Sequence, residues 1–241
     1  MALYKTEAVV IGGHNWGEAD KMLTLFTKER GVTEVAAFGC RRPRSPLAGS
    51  TQFFSYVEAS LSEGKRVDTL KQCLLLEHYK WFSEDLTVMA YGAFVAEFLR
   101  EFLPEGQPEP KAFEQFLRIL TAFGERNPRV TALAAVLQLM EFTGMQLHYE
   151  HCVRCGKSVT EEMFFSLSEG GVLCENCGAG GQAFPLALQK LIIDLRDMDW
   201  ETNAKLTISG KILSQAEQIL LGYLQKLLGR PMKSLSFIQQ V

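Results

Sequence analysis

The chain contains no uninterrupted apolar run of about 18 residues, which excludes a helical membrane span. It also lacks a glycine-rich phosphate cradle, the usual basis for nucleotide hydrolysis. Neither a G-x-S-x-G elbow nor an H-E-x-x-H pair is present, so the hydrolase and metalloprotease arrangements built on them are excluded. Histidine is scarce, with 4 in 241 residues; only His14 lies near glycines, and a lone histidine ordinarily serves structure. Internal repeats and low-complexity tracts are absent. Charge of one sign is lacking too: the formal net charge is −3, so any binding to phosphate is expected to be local and salt-sensitive. The opening stretch Met1 to Glu7 is too polar and acidic for a signal peptide, and a cytoplasmic location is expected.

What is present is ordinary in total and uneven in distribution. Hydrophobic residues make up 47% and charged residues 22%, as in a water-soluble globular chain with one large domain or two modest ones. Residues 1–80 carry 11 Lys+Arg against 9 Asp+Glu, whereas the remainder carries 14 against 19. The basic residues of the first part are clustered, and clustering governs phosphate binding more than totals do.

Four of the six cysteines organise the second half. Cys152-Val153-Arg154-Cys155 and Cys174-Glu175-Asn176-Cys177 are separated by 18 residues, the spacing of a four-thiolate zinc site. Each pair sits on a tight turn, and zinc accepts four thiolates tetrahedrally at about 2.3 Å. Gly156 and Gly178 follow directly, where such a turn favours a residue tolerant of positive φ. Between the pairs, Met163 to Leu167 reads as a strand and Ser168 to Gly171 as its hairpin turn. Two disulfides, a redox Cys-x-x-Cys and a zinc deaminase compete with this reading. The first conflicts with the expected compartment and the second with the missing βαβ pattern. For the third, His148-Tyr149-Glu150 lies 26 residues before Cys174, but Leu173 stands where that chemistry wants proline, and Cys152 and Cys155 would have no role. A closed structural zinc site on Cys152, Cys155, Cys174 and Cys177 is expected, with no catalysis at the metal.

The first 80 residues read as strands: Glu7 to Ile11 closed by Gly12-Gly13, Lys21 to Thr27, Val32 to Phe38, Phe53 to Leu61 and Val67 to Leu76. Five short strands predict a small sandwich or a five-stranded barrel, and the OB-fold is the commonest such barrel. Between the third and fourth strands, Arg41, Arg42 and Arg44 share a loop with Pro43 and Pro46. Arginine's planar fork pairs bidentately with phosphate, so this stiffened loop is a candidate backbone clamp. Lys28, Arg30, Lys65 and Arg66 in neighbouring turns are candidates to extend it. Phe38, Phe53, Phe54 and Tyr56 lie close by for base stacking, although aromatics on strands are ordinarily core.

From Ser83 the period becomes helical. Ser83-Glu84-Asp85 reads as an N-cap for a helix that Pro104 stops, and a second helix is expected over 111–123. Asn127-Pro128 caps a third, apolar nearly all round and ended by Gly144, which belongs in the middle of a bundle. Pro185 opens a helix through Asp197. The last helix, Leu213 to Leu228, carries the stripe Leu213, Ala216, Ile219, Leu220, Tyr223, Leu224 and Leu227, either core or a partner groove.

Several stretches resemble the RecO family of bacterial DNA repair and recombination proteins. They are Lys5 to Val10, Gly17 to Thr27, Gly39 to Ser45, Phe142-Thr143-Gly144 leading to Cys152 through Gly156, Gly170 to Cys177, and Gly229 to Leu235, in that order over nearly the whole chain. The resemblance implies a multi-domain α+β protein: an N-terminal OB-fold barrel for DNA over 1–80, a helical domain over 81–149 and 184–241, and a zinc module over 150–183. It implies a mediator without enzymatic turnover that binds single- and double-stranded DNA and anneals complementary strands. With RecR, such a protein helps load RecA onto strands coated by the single-stranded-DNA-binding protein, whose C-terminal tail is a further expected partner. A nucleoid-associated cytoplasmic location follows from the same likeness. Some family members lack the cysteines, so zinc is not essential to the activity family-wide. A protein-interaction adaptor, with a helical groove that captures partner tails, is the alternative.

Overall fold

The computed structural model describes residues 2–158, 163–178, 181–202 and 208–241. Its contacts divide the chain into two compact units, Met1–Glu125 with Gln240–Val241, and Arg126–Gln239.

In the first unit the alternating apolar pattern folds as five strands: β1 (Leu3–Trp16), β2 (Asp20–Thr27), β3 (Gly31–Ala37), β4 (Ser55–Ser62) and β5 (Asp68–His78). Their order, β1-β2-β3-β5-β4, closes into a barrel in which only β3 and β5 are parallel. Following paired residues from His14 through Met22, Ala36, Thr69 and Ser62 returns the path to β1 at Leu3 rather than His14. That stagger is what tilted strands require for closure. The inward row, including Val10, Leu23, Leu25, Val35, Val57 and Leu61, fills the interior.

Two strand boundaries differ from the sequence expectation, each for a local reason. Gly12-Gly13 does not close β1, because a register shift between Val10 and Gly12 makes a bulge that bends the strand and lets it run on to Trp16. A Cβ on Gly12 would overlap the Arg100 guanidinium, whose Nη1 donates to Ile11 O at 3.0 Å. β4 begins at Ser55 rather than Phe53, because Phe54 has φ 62° and turns the chain into the strand.

The contacts also part elsewhere than at residue 80. Helices α1 (Trp81–Glu84), α2 (Leu86–Phe102) and α3 (Pro110–Ala122) group with the barrel. Buried phenylalanines cause this: Phe26 lies 5.4 Å from Phe113 and 5.9 Å from Phe116, and Phe54 lies 4.2 Å from Phe82, centroid to centroid. Within the expected Ser83-Glu84-Asp85 cap it is Asp85 that caps α2, accepting from the N–H groups of Thr87 and Val88 at 2.7 and 3.2 Å.

The second unit is built on α4 (Pro128–Leu139), capped by Asn127, with α5 (Leu186–Arg196) and α6 (Gly210–Leu228) packed in sequence beside it. α4 is buried almost all round, as its composition requires. Its one buried amide is satisfied: Gln138 accepts from Trp200 Nε1 at 2.7 Å and donates to Met198 O at 2.8 Å. The α6 stripe is core except Leu227, which is exposed, and Gly229 (φ 69°) ends the helix. A three-stranded sheet, ordered β7-β6-β8, comprises β6 (Met163–Ser166), β7 (Gly171–Cys174) and β8 (Gln182–Ala183). The chain closes with α7 (Ser234–Ile238). Among the described residues, no helix is long and apolar enough to cross a membrane.

Candidate functional site

The β6–β7 hairpin and the turn before it bring the two cysteine pairs together. In each pair the residue after the second cysteine folds back, Gly156 N–H to Cys152 O and Gly178 N–H to Cys174 O, both at 2.8 Å. Gly156 has the expected positive φ of 72°. Gly178 does not, and is required instead because a Cβ there would lie 2.6 Å from Phe164. Val153 N–H donates to Val172 O at 3.0 Å, fastening the first turn to β7.

The four Sγ atoms lie within 4.8 Å of one another, with Cys155 and Cys174 at 3.8 Å. Bonds of about 2.3 Å in a tetrahedron give a sulfur–sulfur edge of about 3.8 Å. The cluster therefore fits a tetrahedral thiophilic ion, and among the described residues it contains the cysteines alone, without His148 or Glu150. Burial pushes the Cys152 thiol up, but backbone N–H groups of Cys174, Cys155 and Arg154 outweigh it and bring the group down to about 6. Cys177 is pushed up to about 12, first by its hydrogen bond with Cys174 and then by burial. Sulfurs this close cannot all ionise without a cation among them. Arg154 braces the cluster, grasping Glu169 on the hairpin turn at 2.7–3.1 Å and donating from Nη1 to Cys177 O at 2.9 Å.

The seven candidate cations of the barrel fall into two loop pairings. Arg41 joins the β3–β4 connection to the β1–β2 turn: its N–H donates to Ala19 O at 2.9 Å and its Nη1 to Glu18 O at 3.1 Å. Arg42 and Arg44 are exposed on the same connection. In the other pairing, Arg30 forms an ion pair with Glu63 at 2.6 Å and lies 3.7 Å above the Tyr4 ring, while Lys28 pairs with Glu114 at 3.3 Å. Lys65 and Arg66 are exposed in the β4–β5 turn beside them. Lys28 and Arg30 are thus engaged within the fold, whereas Arg42, Arg44, Lys65 and Arg66 face solvent.

Of the four aromatics considered from sequence, only Phe38 is exposed. Phe54 is core, Phe53 is half-buried against it at 4.1 Å, and Tyr56 donates its hydroxyl to Glu7 at 2.6 Å. The sequence reading missed three groups at the barrel mouth. Trp16 is exposed and sits 5.7 Å from Phe38, ring to ring. Lys21 and Arg100 line a cavity of about 340 Å³ with His14 and Phe53. The signal for Trp16 was its place next to Gly17 at the tip of a hairpin; Arg100 is on α2, and no local pattern ties it to β1.

These features define a class: a five-stranded barrel with cations and aromatics at its mouth, followed by a helical unit with a four-thiolate cluster. Family models assign it further. Recombination protein O N terminal matches residues 1–79, and Recombination protein O C terminal matches residues 83–236. The DNA repair protein RecO of Symbiobacterium thermophilum is 33% identical over 246 residues, covering 99% of this chain and 97% of the relative. Those of Pelotomaculum thermopropionicum and Alkaliphilus metalliredigens are each 30% identical, over 100% and 95% of this chain and 95% of each relative. The chain belongs to the RecO family.

Proposed function

We propose that this protein is a DNA repair and recombination mediator that binds single- and double-stranded DNA and anneals complementary strands. With RecR it helps load RecA onto strands coated by the single-stranded-DNA-binding protein. The observation that carries the reading is the exposed Arg41–Arg42–Arg44 connection on a barrel of a RecO-family chain. In this reading the barrel, residues 1–80, is of the OB type, whose second and third strands and adjoining loops commonly hold oligonucleotides. Arg41, Arg42 and Arg44 grip phosphates, helped by Lys65 and Arg66, while Lys28 and Arg30 chiefly brace the loops. Neutralising two backbones on one surface leaves base edges free to pair, and no bond is made or broken by the protein. In sequence the helical domain covers 81–149 and 184–241, its first three helices packing with the barrel, and the module over 150–183 carries zinc on Cys152, Cys155, Cys174 and Cys177. The ion's role is to supply folding energy there. The protein acts in the cytoplasm, associated with the nucleoid.

A second role is supported by a cavity of about 340 Å³ in the helical unit. Leu137, Leu147, Val153 and Ile192 give it an apolar lining suited to the apolar side chains of a partner tail, while Arg196 at its wall already pairs with Asp197 at 2.7 Å and Glu141 and Glu150 stand beside it. Titration with the tail peptide of the single-stranded-DNA-binding protein tests it; absence of saturable binding at moderate salt removes that role. The DNA reading is tested by anisotropy of a labelled single strand with the wild type and with Arg41, Arg42 and Arg44 all changed to alanine. Weaker binding in the variant supports the reading, and unchanged binding rejects the arginine clamp.

A further inference from the structure

Register places two exposed aromatics together on one face of the barrel. Trp16 pairs with Asp20 and Lys21 with Ala37, so Phe38, the residue directly after β3, follows next to the Trp16–Asp20 level, and its ring lies 5.7 Å from that of Trp16. Residues directly opposite share a face. One step along, His14 and Met22 share it too, whereas Leu23, Val35 and Ala37 alternate inward to the core. This outer face is covered at its other end, where Phe26 packs beneath Phe113 and Phe116. At the mouth it is bare: Trp16 is 46% and Phe38 52% exposed. Their ring planes are tilted by 46°, so the two rings are not stacked in parallel on each other.

Cations flank both rings. Arg41 is held over the turn next to Trp16 by the carbonyls of Gly17 and Glu18. The Arg42 side chain lies against Gly39, next to Phe38, where a Cβ would be 3.7 Å from its Cδ. Of the neighbouring carboxylates, Asp20 is occupied in accepting from Gly39 N–H at 2.6 Å, and Glu18 is exposed at the turn. Exposed aromatic rings beside arginine-bearing turns complement a strand whose bases are free and whose backbone is anionic.

We propose that Trp16 and Phe38 form a stacking platform for unpaired nucleobases, which gives this surface a preference for single strands over duplex. The proposal rests on the DNA-binding reading and adds a component that is not ionic. In a duplex the bases are stacked on one another and cannot reach the rings, so only the arginines contribute there.

The experiment measures affinity for a labelled oligothymidine and for a hairpin duplex of equal phosphate count, each across a salt series. In Trp16→Ala/Phe38→Ala, single-strand affinity falls roughly tenfold or more while duplex affinity and both salt slopes hold. Equal loss on both substrates, or no loss on either, overturns the platform while leaving the arginine clamp standing. A wild type that binds neither substrate refutes both. Trp16→Phe guards against misfolding, since it keeps a ring. Oligothymidine quenches emission of the wild type, and this quench is lost in Trp16→Phe, because the other two indoles are half-buried and held by hydrogen bonds to Leu120 O and Gln138 Oε1. A quench that persists in Trp16→Phe overturns the proposal.

Discussion

Phe54 ends the arginine-bearing connection, and its replacement tests how that connection is anchored. The side chain is 1% exposed and meets Phe53, Phe82 and Phe116, so Phe54→Ala should cost about 3–5 kcal/mol. Phe54→Gly separates packing from backbone strain. At an ordinary buried position, glycine costs a further ~0.8 kcal/mol for the lost methyl group. It also costs ~0.5–1 kcal/mol in chain entropy. Here φ is 62°, where a side chain costs ~1–2 kcal/mol that glycine does not incur. These contributions nearly cancel, so Phe54→Gly should match Phe54→Ala within about 0.5 kcal/mol. Urea unfolding followed by Trp81 emission, in a Trp16→Phe/Trp200→Phe background, reads the unit that contains Phe54. A glycine variant less stable than the alanine variant by about 1.3 kcal/mol or more would show that the left-handed turn carries no strain.

Three further outcomes are expected. Elemental analysis of the purified chain should find one zinc, and Cys174→Ser should abolish it and remove hydrogen-exchange protection from the β6–β7 hairpin; a metal-free wild type with intact protection would refute the zinc assignment. The Arg154 guanidinium holds Glu169 below the ordinary carboxylate range, so the pair's stabilisation is complete above about pH 4.5 and lost as pH falls through the lower folded value. Glu169→Gln should therefore lower stability at pH 7 and make no difference in strong acid, and a pH-independent difference would contradict the ion pair. Lys28→Ala should lower DNA affinity less than Arg42→Ala, because Lys28 already neutralises Glu114.

Much of the fold was legible because its signals are local. The cysteine spacing predicted the paired turns, the strand patterning predicted five strands, and Asn127-Pro128 and the expected end at Leu228 marked helix ends correctly. What escaped depends on partners distant in sequence. The sequence offers Lys28 and Arg30 as candidate cations, and their pairing with Glu114 and Glu63 is visible only once the chain has folded. Trp16 acquires meaning only through the register that sets Asp20 between it and Phe38. The grouping of residues 81–122 with the barrel rests on Phe26, Phe54, Phe113 and Phe116, whose mutual packing no single window contains. Gly178 was expected for its backbone freedom, and the structure requires it for the closeness of Phe164.

The most direct test of the central claim is the salt dependence of single-strand affinity for the wild type and for Arg41→Ala/Arg42→Ala/Arg44→Ala. The account predicts a steep wild-type dependence whose logarithmic slope falls by about one unit for each phosphate contact removed, with affinity lowered across sequences. An unchanged slope and affinity in the triple variant would contradict it and take the phosphate contacts away from the β3–β4 connection.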